Sequence, residues 1–141
     1  MIDQLGLIIT TDKFPMVAWE DEENVNPGMY GKLICAYMQS NLPQYGIQVK
    51  YSVNEDWGWW LAVQMSGFKM GLCIYSDAEI GNNPHRYAIL SSIVGGRKWS
   101  WRKFQKIDVS KEIEQVFTTL ESLFNEDEEI QDVERCDGFP F

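Results

Sequence analysis

The order of patterns along this chain predicts an α+β fold: an antiparallel sheet of about four to six strands with two main helices packed on one face. Two stretches, 26–42 and 109–124, repeat apolar residues at spacings of three and four, the period of an amphipathic helix. Between them, residues 47–75 alternate apolar and polar residues with a period of two and are cut by short turn signals. The resulting order is a strand-like lead, a helix, a run of four or five strands and a helix, which gives helices lying on one face of an antiparallel sheet.

Residues 5–10 are short, apolar and β-branched, and read as a strand that Lys13-Phe14-Pro15 ends. Residues 16–19 offer a second short strand, and Glu20, Asp21, Glu22 and Glu23 an acidic loop. Asn26-Pro27 opens the first helix, since Asn caps free amides and Pro suits the first helical position. Tyr30, Leu33, Ile34, Tyr37, Met38 and Leu42 form its buried stripe, and Pro43 and Gly46 stop it. Ile47, Val49, Tyr51 and Val53 are expected on the inward face of the next strand, with Gln48, Lys50 and Ser52 outward.

Asn54-Glu55-Asp56 then reads as a turn. Trp57, Trp59, Leu61, Val63 and Met65 are expected inward, and Trp60, Ala62 and Gln64 outward. Gly58 is expected to relieve crowding between the rings. Ser66-Gly67 is a tight hairpin turn into Phe68, Met70, Leu72 and Ile74, which alternate with Lys69, Gly71, Cys73 and Tyr75. Residues 76–85 read as a polar loop, 87–94 as a strand, Gly95-Gly96 as a turn and 98–104 as a short last strand. In that last strand Trp99 and Trp101 take one face, and Arg102 and Phe104 the other. Asp108 or Ser110 caps the second helix, whose stripe is Val109, Ile113, Val116, Phe117, Leu120, Leu123 and Phe124. Residues 126–141 read as an acidic tail whose Phe139 and Phe141 fold back.

A chain of 141 residues is one domain by size, and 45% apolar residues suffice for a single core without cross-links. The net charge is −9 with a pI near 4.5, which repels nucleic acid and anionic membranes at long range. The charge is uneven. Residues 67–106 hold two acids and seven bases, while 107–141 hold eleven acids and two bases. Cys35, Cys73 and Cys136 stand too far apart for a zinc motif or a disulfide framework, and are expected as reduced thiols of a cytoplasmic protein, two of them in the core. The N-terminus lacks a basic leader, and no apolar run reaches the ~20 residues of a membrane span.

Chemistry-bearing patterns are sparse. His85 is the only histidine and no Gly-x-Ser-x-Gly block occurs, so nucleophilic catalysis has little support, and His85 reads as a surface loop residue. Glu55-Asp56 beside tryptophans suits acid/base carboxylates only weakly, because adjacent strand residues point apart and a hairpin turn explains both. Residues 77–83 space oxygens as a calcium loop does, yet Ala88 stands where the bidentate glutamate belongs. No metal or cofactor is expected. The segment 97–106 interleaves Arg97, Lys98, Arg102, Lys103 and Lys106 with Trp99, Trp101 and Phe104, a composition suited to single-stranded nucleic acid or to a guarded edge strand. Trp60, and with it Tyr75, faces away from the core and suits a protein–protein hot spot.

The Glu55-Asp56-Trp57-Gly58-Trp59 block, following an amphipathic helix and one strand, resembles that of small bacterial proteins of uncharacterised function, over residues 30–76. In size, acidity and lack of a catalytic constellation the chain is also similar in style to immunity proteins of bacterial toxin systems and to phage-encoded inhibitors of host defence. The expected function is therefore non-enzymatic: a cytoplasmic protein that binds and occludes a partner protein, itself basic, through Glu55, Asp56, Trp60, Glu20, Asp21, Glu22 and Glu23. The alternative is a nucleic-acid-associated protein using Arg97, Lys98, Trp99, Trp101, Arg102 and Lys103. An enzyme using Glu55, Asp56 or His85 ranks last.

Overall fold

The computed structural model describes residues 3–14, 31–77 and 84–141. In chain order they form β1 (Leu5–Thr11), α1 (Lys32–Asn41), a 3-10 turn (Leu42–Tyr45), β2 (Gln48–Glu55), β3 (Gly58–Met65), β4 (Phe68–Asp77), β5 (His85–Ser91), β6 (Arg97–Ser100), β7 (Gln105–Asp108), α2 (Ser110–Asn125) and β8 (Ile130–Asp137). The expected strand at 16–19, the acidic loop and the helix start at Asn26-Pro27 lie outside the described residues. The fold is α+β. Six strands make one sheet in the order β2-β3-β4-β5-β1-β8, and β6 pairs with β7 in a separate hairpin. Every neighbouring pair is antiparallel.

Short turns dictate half of this order. Glu55 pairs with Gly58 and Met65 with Phe68, so two-residue turns join β2 to β3 and β3 to β4. Ser66 and Gly67 both take positive φ, 50° and 80°, which matches the strand twist as a type I′ turn does. The N-terminal strand β1 then inserts between β5 and β8, where it is paired on both edges. Its apolar sequence suits that interior place. Leu5, Leu7 and Ile9 enter the core, and Gly6 leaves room on the other face, where a Cβ would lie 2.3 Å from Leu90 Cδ2 and 2.9 Å from Cys136 Sγ.

One buried cluster joins Leu7, Ile9, Leu61, Leu72, Ile74 and Ile89 of the sheet to Ile34 and Met38 of α1 and to Ile113, Val116, Phe117, Leu120 and Phe124 of α2. Helix α2 begins where the Asp108 carboxylate accepts the Ser110 amide at 2.9 Å. That bond, with the Arg97 charge adding to it, holds the Asp108 carboxyl below its usual range. The helix is tied to β8 by Arg135, whose guanidinium reaches Glu114 at 3.0 Å and Glu121 at 2.5 Å.

Three expectations change. Residues 130–137 are not a solvated tail. They form β8, the outer edge strand, whose acidic side chains alternate with Ile130 and Val133 packed on the core and whose charge guards the exposed edge. The alternation of β2 reverses midway, because the register shifts between Val49 and Tyr51 at a bulge. Ile47 is buried as expected, but Ser52 now opposes the core residue Leu61, while Tyr51 and Val53 turn to the outer face and are 54% and 39% exposed. Residues 98–104 are not one strand but β6 and the four-residue turn that leads into β7.

Candidate functional site

The face of the sheet opposite the main core carries its own small cluster. Cys73, Ala88 and Leu90 are buried there, with Trp57, Trp60, Tyr75, Cys136 and Phe141 packed around them. Trp57 was expected in the core. It lies instead beside Tyr75, with ring centroids 5.2 Å apart, because it occupies the turn ahead of β3 and not the strand itself. Trp59 does reach the core, and its ring lies so close to Gly31 that a Cβ there would be 2.7 Å from Cδ1. Gly58 serves the backbone and not the rings: its Cβ would sit 2.3 Å from the Ile74 carbonyl oxygen of β4. The end of the chain folds back on this outer face, with Phe139 edge-on to Tyr75 at 4.9 Å and Arg86 over the Phe141 ring at 5.1 Å.

Beyond that cluster the outer face opens into a groove of about 430 Å³. Tyr51, Ala62 and Gly71 stand directly opposite one another on β2, β3 and β4. The Trp60 indole leans across Gly71, where a Cβ would lie 2.2 Å from both Cζ2 and Cη2. Lys50, Lys69 and Lys98 border the same groove. The Lys98 ammonium donates to the Lys69 carbonyl at 2.7 Å and lies 5.4 Å from the Phe68 ring centre, which pins the base of the β6–β7 hairpin to the β3–β4 corner.

The hairpin itself leaves the main sheet. Its register pairs Arg97 with Asp108, Lys98 with Ile107, Trp99 with Lys106 and Ser100 with Gln105. The Ser100 hydroxyl accepts the Lys103 amide at 3.2 Å within the turn, and Phe104 takes φ 51° to close it. That left-handed residue is what brings Phe104 round to the tryptophans. Trp99 meets Phe104 at 5.4 Å and Trp101 at 5.7 Å, both edge-to-face. Arg102 and Phe104 were expected to share one face of a strand, apart from Trp99 and Trp101. The turn instead gathers Phe104 with the two tryptophans. Trp101 is 80% and Phe104 73% exposed.

The residues expected to bind a partner are scattered. Glu20, Asp21, Glu22 and Glu23 lie outside the described residues. Glu55 and Asp56 sit at the β2–β3 corner, Glu55 half-buried and Asp56 exposed. Trp60 does face outward, but the charges bordering its groove are lysines and not acids. His85 is not a surface loop residue: it opens β5, is buried, and pairs in register with Thr11. Its Nδ1 has no hydrogen-bond partner among the described residues. Of the calcium-like loop, 78–83 lie outside the described residues, and the Asp77 carboxylate is held by Arg86.

Away from this face, the Asp127 carboxylate gathers the Lys13 ammonium at 2.5 Å, the Tyr37 hydroxyl at 2.8 Å and the Glu129 amide at 2.9 Å. Burial pushes its pKa up, but these donors outweigh burial and hold the carboxyl below the usual range. The neighbouring Tyr37 hydroxyl is pushed well up by burial and by donation to Asp127. Every member is satisfied, so the cluster reads as a brace between β1, α1 and the start of β8. Among the described residues no three His, Cys, Asp or Glu side chains gather as a metal site would require. No helix among them is long and apolar enough to cross a membrane.

No protein-family model matches the chain, and neither a curated protein nor a solved structure does.

Sequence reasoning missed that Tyr51, Lys50 and Lys69 line one groove. The bulge that turns Tyr51 outward has no signature in alternation alone. The paired small residues Ala62 and Gly71 are the one signal that could have found the groove, because they leave a gap on an otherwise large-residue face.

Proposed function

We propose that this protein is a non-enzymatic binding protein that occludes a partner protein, in the style of immunity and inhibitor proteins. The observation that carries this reading is the aromatic triad at the hairpin tip. Trp101 and Phe104 are among the most exposed large apolar side chains of the described residues. Large rings exposed on a turn are the composition of an interface centre, where single residues often account for about 2 kcal/mol or more. The two helices cover one face of the sheet, which leaves the hairpin and the opposite face for recognition.

The charge near the triad favours an acidic partner surface, where the sequence alone suggested a basic one. Arg102 and Lys103 lie in the turn between Trp101 and Phe104, Lys106 stands opposite Trp99, and Lys50, Lys69 and Lys98 border the groove. The surface that meets this region is therefore acidic, steered by the local positive field of a protein whose net charge is negative. The test is capture from an extract of the native host with the wild-type chain and with Trp101→Ala/Phe104→Ala. One protein recovered in stoichiometric amount by the wild type and lost with the folded variant supports the reading. Equal recovery by both sinks it.

The same cations favour a second reading, a nucleic-acid-associated protein using Arg97, Lys98, Trp99, Trp101, Arg102 and Lys103. A gel shift with single-stranded RNA or DNA that weakens steeply with salt supports it. No shift at low salt removes it.

A further inference from the structure

We propose that the groove beside Trp60 is a binding site for a nucleoside phosphate, with the flat base held between Tyr51 and Trp60 and the phosphate held by Lys50 and Lys69. The slot is built by the sheet. Tyr51 and Gly71 stand on strands β2 and β4, one on either side of Ala62 on β3. Neighbouring strands are about 4.8 Å apart, so the two outer positions are separated by ~9.6 Å. The Trp60 ring occupies the Gly71 side, because that residue has no Cβ to exclude it. The Tyr51 ring projects on the other side and is 54% exposed. A planar ring in contact with a second ring on each face needs ~7–8 Å. The methyl group of Ala62 is short enough to leave that gap open. A Leu or Phe at the same position would fill it.

The border supplies the charge. Lys50 is the residue skipped by the bulge of β2, and Lys69 lies two residues before Gly71 on β4, on the same face. Neither lysine pairs with a carboxylate among the described residues, so both ammonium groups can meet an external anion. Lys98 spends one of its three donors on the Lys69 carbonyl and retains two. Aromatic faces with adjacent cations are the pairing that recognises a stacked base and its phosphate. The groove, about 430 Å³, falls in the range of ordinary small-ligand sites. The ligand chemistry is common to a free mononucleotide and to one unit of a single strand.

The site is tested by calorimetry at ~50 mM salt with AMP, UMP, adenosine, inorganic phosphate, and short single strands of deoxythymidylate and uridylate. The expected result is one-site binding of a mononucleotide or a strand that is at least about tenfold weaker in Ala62→Leu, which fills the slot, and in Lys50→Glu/Lys69→Glu. Binding of the mononucleotides identifies a free nucleotide as the source, and binding of the strands alone identifies a nucleotide unit within a chain. Tyr51→Ala, at an exposed position that the fold tolerates, gives the same loss and guards against misfolding of the Leu variant. No binding by any probe overturns the proposal. Binding of phosphate as tight as that of AMP overturns it too, as does affinity unchanged in both Ala62→Leu and Tyr51→Ala. The partner-protein reading is tested separately through Trp101 and Phe104: Trp101→Ala/Phe104→Ala, which leaves Tyr51, Trp60 and Ala62 unchanged, is expected to bind the nucleotide as the wild type does.

Discussion

Replacing Gly71 with alanine tests how the outer face is assembled. A glycine inside a strand ordinarily costs stability, and its change to alanine gains roughly 0.5–1 kcal/mol. Here the added Cβ would fall 2.2 Å from Cζ2 and Cη2 and 2.6 Å from Cε2 of Trp60. Those distances are far inside contact, so the ring must leave its place or the strands must part. Overpacking of this kind costs about 1–3 kcal/mol. The same substitution made in a Trp60→Ala background meets no ring and should show the ordinary gain. The two backgrounds therefore differ by about 1.5–4 kcal/mol, with opposite signs. Urea unfolding of the four proteins reads this directly, because equal slopes make the midpoints comparable. In thermal unfolding, each kcal/mol corresponds to roughly 3 °C for a chain of this size. If Gly71→Ala costs the same with and without Trp60, the ring does not lie over Gly71. The wall of the groove is then wrong.

Other outcomes follow from the same structure. The Asp127 carboxyl is held below its unfolded range, so its contribution is present above that range and lost as pH falls through the folded value. Asp127→Asn should lower stability near neutrality by about 1–2 kcal/mol and flatten the acid side of the urea-midpoint profile; parallel profiles for wild type and variant would contradict this. Burial lifts the Cys73 thiol to about 11, and Cys35 is buried as well. A thiol reagent at neutral pH should therefore label the partly exposed Cys136 first, and the other two only on unfolding; early labelling of Cys73 would refute its placement. Trp101→Ala/Phe104→Ala removes two exposed rings and should change folding stability by less than about 1 kcal/mol. A loss of several kcal/mol would mean that the triad is part of the fold and not a recognition surface.

Much of the fold was legible because periodicity reports burial. The stripe from Val109 to Phe124 is buried throughout, and the alternation of Phe68, Met70, Leu72 and Ile74 places β4 correctly. Ser66-Gly67 announced its turn through a residue type that tolerates positive φ. The sequence misled where a long-range contact outweighs local composition. β8 looks too acidic to pack, yet the unpaired edge of β1 accepts its backbone, and Val133 and Ile130 suffice on the inner face. Tyr51 and Trp57 were assigned to the core because a bulge and a turn break the period of two without leaving a mark in the residue pattern. The site followed the same rule. Trp60 and the cations of 97–106 were visible one at a time. Their proximity through Lys98 and Lys69 was not, because the β6–β7 hairpin returns to the β3–β4 corner across 29 residues of chain.

The proposed recognition surface is tested most directly by amide hydrogen exchange of the chain alone and with a protein recovered in the capture experiment. Protection is predicted at 97–108 in the hairpin and at 50–53 and 60–71 along the groove, with α1 and α2 unchanged. Protection confined to the outer surfaces of α1 and α2, with the hairpin exchanging as in the free protein, would contradict the account.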